Sequence, residues 1–209
     1  LSKYVQKARN EEVDSTGKLI MGVDIAISER DRTAIIRRKG RCVYNLERVS
    51  NLNTMEICGL LKRRIQEENP YKVYIDCIGI GAGVVDRMNE MGYECVEGVN
   101  VGRSANDKER YKNLRAELWG DMRDFLYGEM PVQIPDEDLL HGELCSIGFK
   151  ETSTGQIQLE SKEDLRKRGI SSPDGADAFS LTFYGGFNGG TMGSFDVPRL
   201  MPHERSMFR

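Results

Sequence analysis

Apolar residues change their spacing along this chain, and each change marks an element. Residues 19–26, LIMGVDIA, form an apolar run broken only by Asp24, after Gly17 and before a polar turn, as a buried strand does. RTAIIRR (32–38) and RCVYNLERV (41–49) follow, rich in β-branched and aromatic residues and separated by Lys39-Gly40, a pair suited to a tight hairpin. Three sequential antiparallel strands are therefore expected to open the domain. Over 54–68 the period shifts: Ile57, Cys58, Leu61 and Ile65 share one helical face, with Asn53 or Thr54 as N-cap and Asn69-Pro70 as the stop. YKVYIDC (71–77) reads as a strand, the glycine-rich turn IGIGAG follows, a helix spans 82–91 to Gly92, and 93–100 reads as another strand. Strands separated by helices in this way pair in parallel, because parallel neighbours need a crossover.

The second half predicts its longest helix over 109–127, with Tyr111, Leu114, Leu118, Met122 and Phe125 on the buried face. A further helix is expected near Asp136. Two short strands flank the Ser153-Thr154-Gly155 turn, then comes the basic stretch KEDLRKRG. The last predicted helix lies in SSPDGADAFSLTFYGG, capped by Ser172 or Asp174, with Ala178, Phe179 and Leu181 inward. The expected organisation is an extension over 1–18, an α/β domain over 19–185 and a glycine-rich tail over 186–209. The chain opens with Leu, from which a piece of something longer is expected.

Composition narrows the chemistry. With 209 residues, 39% hydrophobic and 30% charged, the chain can form one globular domain, and no apolar run approaches the roughly 20 residues of a membrane span. Its five cysteines are scattered without a CxxC, so neither a zinc site nor a disulfide framework is indicated. Only His141 and His203 are available, which leaves histidine chemistry poorly supplied. The net charge of −3 gives no global reason to expect nucleic acid, and basic runs such as Arg37-Arg38-Lys39 read first as solvated faces. No GxxxxGK motif ending in Ser or Thr occurs, so ATP hydrolysis is not expected.

Carboxylates remain. Asp24 interrupts the apolar strand MGVDIA, and Asp76 ends VYID just before a glycine turn, both positions that acids normally avoid. Asp174 and Asp177, three residues apart, share one side of an apolar helix. Singly, each has an ordinary alternative: a turn cap for Asp24, a helix cap for Asp174, a phosphate-binding loop after Asp76. Jointly, acids from a first strand, a central strand and a late helix call for a cation, and hard oxygen donors favour Mg²⁺ or Mn²⁺. Phosphodiester hydrolysis assisted by two such ions fits, without a protein nucleophile.

GVDIAISERDRTAI, YIDCIGIGAGVVDRM, GVNVG, YKNLRAELW and LESKEDLRKRGISSPDGADAFSLTF together resemble the C-terminal nuclease domain of tailed-phage terminase large subunits, over roughly residues 19–185. The resemblance implies a ribonuclease H-like fold: a mixed sheet of three antiparallel strands then parallel ones, flanked by helices. It implies Asp24, Asp76 and Asp177 as catalytic metal ligands, with Asp174 an additional ligand or a cap, and leaves Asp31 as a turn support. It places the hairpin around Thr154 and the basic residues Lys162, Arg166, Lys167 and Arg168 against double-stranded DNA phosphates. The implied partners are the terminase ATPase domain, the small subunit and the portal or procapsid, in the host cytoplasm and not on a membrane. Two alternatives stand beside this: a resolvase- or transposase-like nuclease of the same fold, and a non-catalytic module that docks on a portal or motor, with Pro198 and Pro202 in the docking tail.

Overall fold

The structure is a computed structural model that describes residues 1–27 and 32–186; the expectations for Asp31 and for the tail beyond 186 fall outside them. Strand parity organises everything else. In β1 (Leu19–Asp24) side chains alternate: Leu19, Met21 and Val23 enter one core layer, while Ile20 enters the other. β4 (Lys72–Asp76) repeats this, with Val73 and Ile75 on the first side and Tyr74 on the second. By the same two-residue period Asp24 and Asp76 point to the second side. With β2 (Thr33–Lys39), β3 (Cys42–Val49) and β5 (Val96–Val99), these strands form one sheet in the order β3-β2-β1-β4-β5. The β1–β2 and β2–β3 pairs are antiparallel, while β1–β4 and β4–β5 are parallel, as the sequence predicts.

Helices cover both faces. The first layer is closed by α2 (Thr54–Glu68) and α3 (Ile80–Glu90). Asn53 caps α2, its side chain accepting from Met55 and Glu56 N–H while Glu56 returns to the Asn53 N–H, a full capping box. The second layer holds α4 (Leu114–Tyr127), α5 (Asp138–Ser146) and α7 (Asp174–Leu181). The hairpin of β6 (Phe149–Glu151) and β7 (Ile157–Leu159) leads into the short α6 (Lys162–Lys167). Among the described residues no helix is long and apolar enough to cross a membrane.

Four expectations are corrected. The helix predicted over 109–127 begins at Leu114, because Asn113 is extended and caps it while Tyr111 and Lys112 are drawn into backbone bonds with Asp107 and Ile157; α2, at 15 residues, is the longer helix. Residues 1–18, expected as an extension, contain α1 (Ser2–Arg9), whose Val5 and Ala8 are buried in the second layer and whose Arg9 bonds Asp136 and Asp138. Arg37 and Arg38, read as part of a solvated run, are buried in the middle of β2. Arg37 meets Glu68 at 2.7 Å, and Arg38 donates to the Thr182 carbonyl at 2.6 Å and stacks 4.6 Å from the Phe183 ring. Finally, α7 has Pro173 as its N-cap, so neither Ser172 nor Asp174 caps it. Glu143 of α5 accepts the Ala176 N–H at 3.0 Å instead, a cap supplied from another helix.

Candidate active site

Gly22 explains how the acids meet. A Cβ there would lie 1.9 Å from the Ala178 carbonyl oxygen, so the backbone of α7 rests directly on β1. This contact sets the N-terminal turn of α7 beside the carboxyl end of β1, on the face to which Asp24 points. Asp24, Asp174 and Asp177 are all buried there. Asp76 stands at the end of the adjacent parallel strand, half-buried, with its carboxylate accepting the Ile78 N–H at 3.0 Å. The start of α3 packs directly against it: Gly81 leaves no room for a side chain, since a Cβ would sit 1.8 Å from the Asp76 carbonyl oxygen.

At the centre lies the ammonium of Lys162, the first residue of α6. Its Nζ is 3.3 Å from Asp24, 3.7 Å from Asp177 and 4.0 Å from Asp174. Burial raises the Asp24 carboxyl to about 8 against the pull of Lys162, and the neighbouring Asp177, Asp174 and Asp76 add to the rise. Asp76 is raised too, chiefly by burial, although its bond from Ile78 opposes this. Burial works against the charge on Lys162, but Asp24, Asp177 and Asp174 outweigh it and hold the ammonium above its ordinary value.

Asp177 is held from the opposite side. Arg115 grips both its oxygens at 3.0 Å, and Trp119 donates its indole N–H at 2.8 Å. Neither Arg115 nor Trp119 stood out as functional in the sequence, although both lie in YKNLRAELW, and their i,i+4 spacing in α4 puts them on one face. Asp174 accepts the Arg32 N–H at 2.9 Å.

The structure thus brings together Asp24, Asp174, Asp177 and Lys162, with Asp76 on the neighbouring strand end. It does not gather the rest of the basic stretch with them. Lys167 pairs with Glu163 and Asp164 on its own helix, Arg168 pairs with Glu160, and Arg166 follows on the same short helix. Lys162 was expected at a DNA phosphate, yet its amine faces the acids. Among the described residues no group of three acid, cysteine or histidine side chains stands arranged to hold a metal ion, and the Lys162 ammonium lies among the acids. The donors themselves suit a hard divalent cation: all are carboxylate oxygens, gathered around the Lys162 ammonium.

A mixed five-stranded sheet with acids at the carboxyl ends of its first and fourth strands and on its last helix is a ribonuclease H-like fold. No family model and no curated protein matches the chain. Among solved structures, a lysine-to-alanine variant of the nuclease domain of the large terminase subunit gp2 of bacterial virus Sf6, with manganese and beta-thujaplicinol, aligns at TM-score 0.79 and 18% identity, covering 88% of this chain and 97% of that one. The Sf6 domain without that substitution aligns at TM-score 0.76 and 18% identity over the same shares. The large terminase nuclease from thermophilic phage G20c with bound magnesium aligns at TM-score 0.61 and 14% identity, covering 84% of this chain and 89% of that one. The chain has the fold of these nuclease domains.

Proposed function

We propose that this chain is the endonuclease domain of a phage DNA-packaging terminase, cutting concatemeric double-stranded DNA with the help of divalent metal ions. The observation that carries this reading is the convergence of Asp24, Asp174 and Asp177 on a single cation, beside Asp76, in a fold whose solved examples include forms with manganese and with magnesium. Asp24, Asp76 and one or both of Asp174 and Asp177 would hold the metal, with Lys162 yielding its place. Two ions of Mg²⁺ or Mn²⁺ would supply an activated water and neutralise the leaving oxygen.

The chain's own residues do the rest. The sheet holds Asp24 and Asp76 at fixed spacing, since both end paired parallel strands. Arg115 and Trp119 orient Asp177, and Glu143 with Arg48 anchors the first turn of α7. Arg166, Lys167 and Arg168, in and directly after the same short helix as Lys162, would meet DNA phosphates together with the β6–β7 hairpin. In this reading the ATPase domain, the small subunit and the portal or procapsid are the partners, and the host cytoplasm is the setting.

The test is incubation of the purified protein with supercoiled plasmid in Mg²⁺, Mn²⁺ or EDTA, beside Asp24→Ala and Asp76→Ala. Nicking and linearisation that require metal and disappear in both folded variants are expected. A well-folded wild-type protein that is inert with every metal leaves a nuclease domain held inactive without its motor or a docking module with structural acids. Metal titration separates them: no metal binding rejects the nuclease.

A further inference from the structure

Asp177 is held unlike the other acids of the site. A carboxylate offers about four acceptor directions, two on each oxygen. Its Oδ1 accepts from Arg115 Nε at 3.0 Å and from Trp119 Nε1 at 2.8 Å, which fills it. Its Oδ2 accepts from Arg115 Nη2 at 3.0 Å and has one direction left, on the side of Lys162 Nζ at 3.7 Å. The clamp is itself fixed. Arg115 Nη1 donates to the Glu160 carbonyl at 3.3 Å, the guanidinium carbon lies 5.9 Å from the centre of the Trp119 ring, and Trp119 is buried. Both clamp residues sit one helical turn apart on one face of α4.

We propose that Arg115 and Trp119 are positioning residues that lock Asp177 and confine its contact with a metal to the single oxygen Oδ2. This rests on the metal-dependent reading above. Bidentate chelation by Asp177 is excluded while the clamp holds, because Oδ1 has no lone pair to give. The ligand set is therefore asymmetric, with orientation on the α7 side set by α4 rather than by the ion. Residues that orient a ligand in this way typically change metal affinity by roughly 10–100-fold when altered.

The chain contains one tryptophan, so Trp119 also reports on the site. The measurement is calorimetric titration with Mg²⁺ and Mn²⁺ of the wild-type protein, Trp119→Phe and Arg115→Lys, alongside the single indole N–H resonance followed by NMR during the Mg²⁺ titration. Trp119→Phe keeps an aromatic ring in the core and removes the N–H donor; Arg115→Lys keeps the charge and deletes the two-pronged grip. Circular dichroism melts establish that each is folded, and if one is not, the other carries the test. Weaker binding by about 10-fold or more in the folded variants, with an indole resonance that moves as metal enters the wild type, is expected. Unchanged affinity in the folded variants overturns the clamp while leaving the nuclease reading intact. No binding of either ion by the wild-type protein overturns both.

Discussion

Gly22→Ala is the smallest change that tests whether the seating of α7 on β1 builds the site. The added carbon would lie 1.9 Å from the Ala178 carbonyl oxygen, 3.0 Å from its carbon and 3.0 Å from Thr182 Cγ2. Ordinary contact begins near 3.4 Å, so relief requires α7 and β1 to part by about 1.5 Å. The obstacle is helix backbone, which cannot swing aside as a side chain can. Overpacking of this kind costs about 1–3 kcal/mol, and for a chain of this size each kcal/mol lowers Tm by about 2–4 °C.

The larger effect is on geometry. Asp174 and Asp177 ride on α7 and Asp24 on β1, so the same displacement moves the acids apart by an ångström or more. Misplacement on that scale costs on the order of 100-fold in rate. The assay is a calorimetric melt of Gly22→Ala, followed by plasmid nicking well below its Tm so that only folded protein is compared. A lower Tm together with a nicking rate down by on the order of 100-fold per folded molecule is expected. An unchanged Tm would refute the close approach itself. A lower Tm with wild-type nicking would show that the approach is real but does not position the acids.

Two further outcomes follow from the same region. Arg48→Ala strips Glu143 of its buried guanidinium partner and loosens the cap on α7; breaking a buried pair in this way costs about 3–5 kcal/mol, read from urea unfolding, and a loss below about 1 kcal/mol would reject the anchoring role. The pH dependence has a definite sign. Burial raises Asp24 to about 8, and Asp121 and Glu143 to about 7, so the folded state binds protons more tightly than the unfolded chain. The stability these groups contribute is fully present below their ordinary values near 4 and is lost as pH rises through 7 to 8. In EDTA the melting temperature is expected to fall between about pH 5 and about pH 8, and a flat or rising profile would contradict the burial of these acids.

Asp24 and Asp76 were legible because an acid in an apolar strand breaks a pattern, and the two-residue period then puts both on one face once the strand order is known. The α7 acids were legible as a pair but not in their separate bonding, since spacing says nothing about what lies across the cleft. Lys162 was concealed by its neighbours. In KEDLRKRG it was expected with Arg166, Lys167 and Arg168 at DNA phosphates, and only the direction of α6 turns this residue inward while Lys167 pairs along the helix surface. Glu143 and Arg48 were invisible for a related reason: each belongs to a different element from the helix they anchor, and no local spacing links positions 48, 143 and 176. The helix start at Leu114 was missed because Tyr111 fits the apolar face of α4 in sequence yet is drawn to β7 in space.

The positive charges around the acids fall into two kinds by geometry. Arg115 meets Asp177 at 3.0 Å with both prongs, and Arg48 meets Glu143 from a largely buried position, as guanidinium groups do where planar recognition of carboxylate fixes a structure. Lys162 lies 3.3–4.0 Å from three carboxylates, beyond the roughly 2.8 Å of a strong charge-assisted bond, and its side chain is 40% exposed. An ammonium shared loosely among three acids balances charge without satisfying any one of them. The fixed cations therefore shape the site and Lys162 neutralises it, which makes Lys162, among the described residues, the positive group that a better-coordinated cation could displace without unseating α4 or α7.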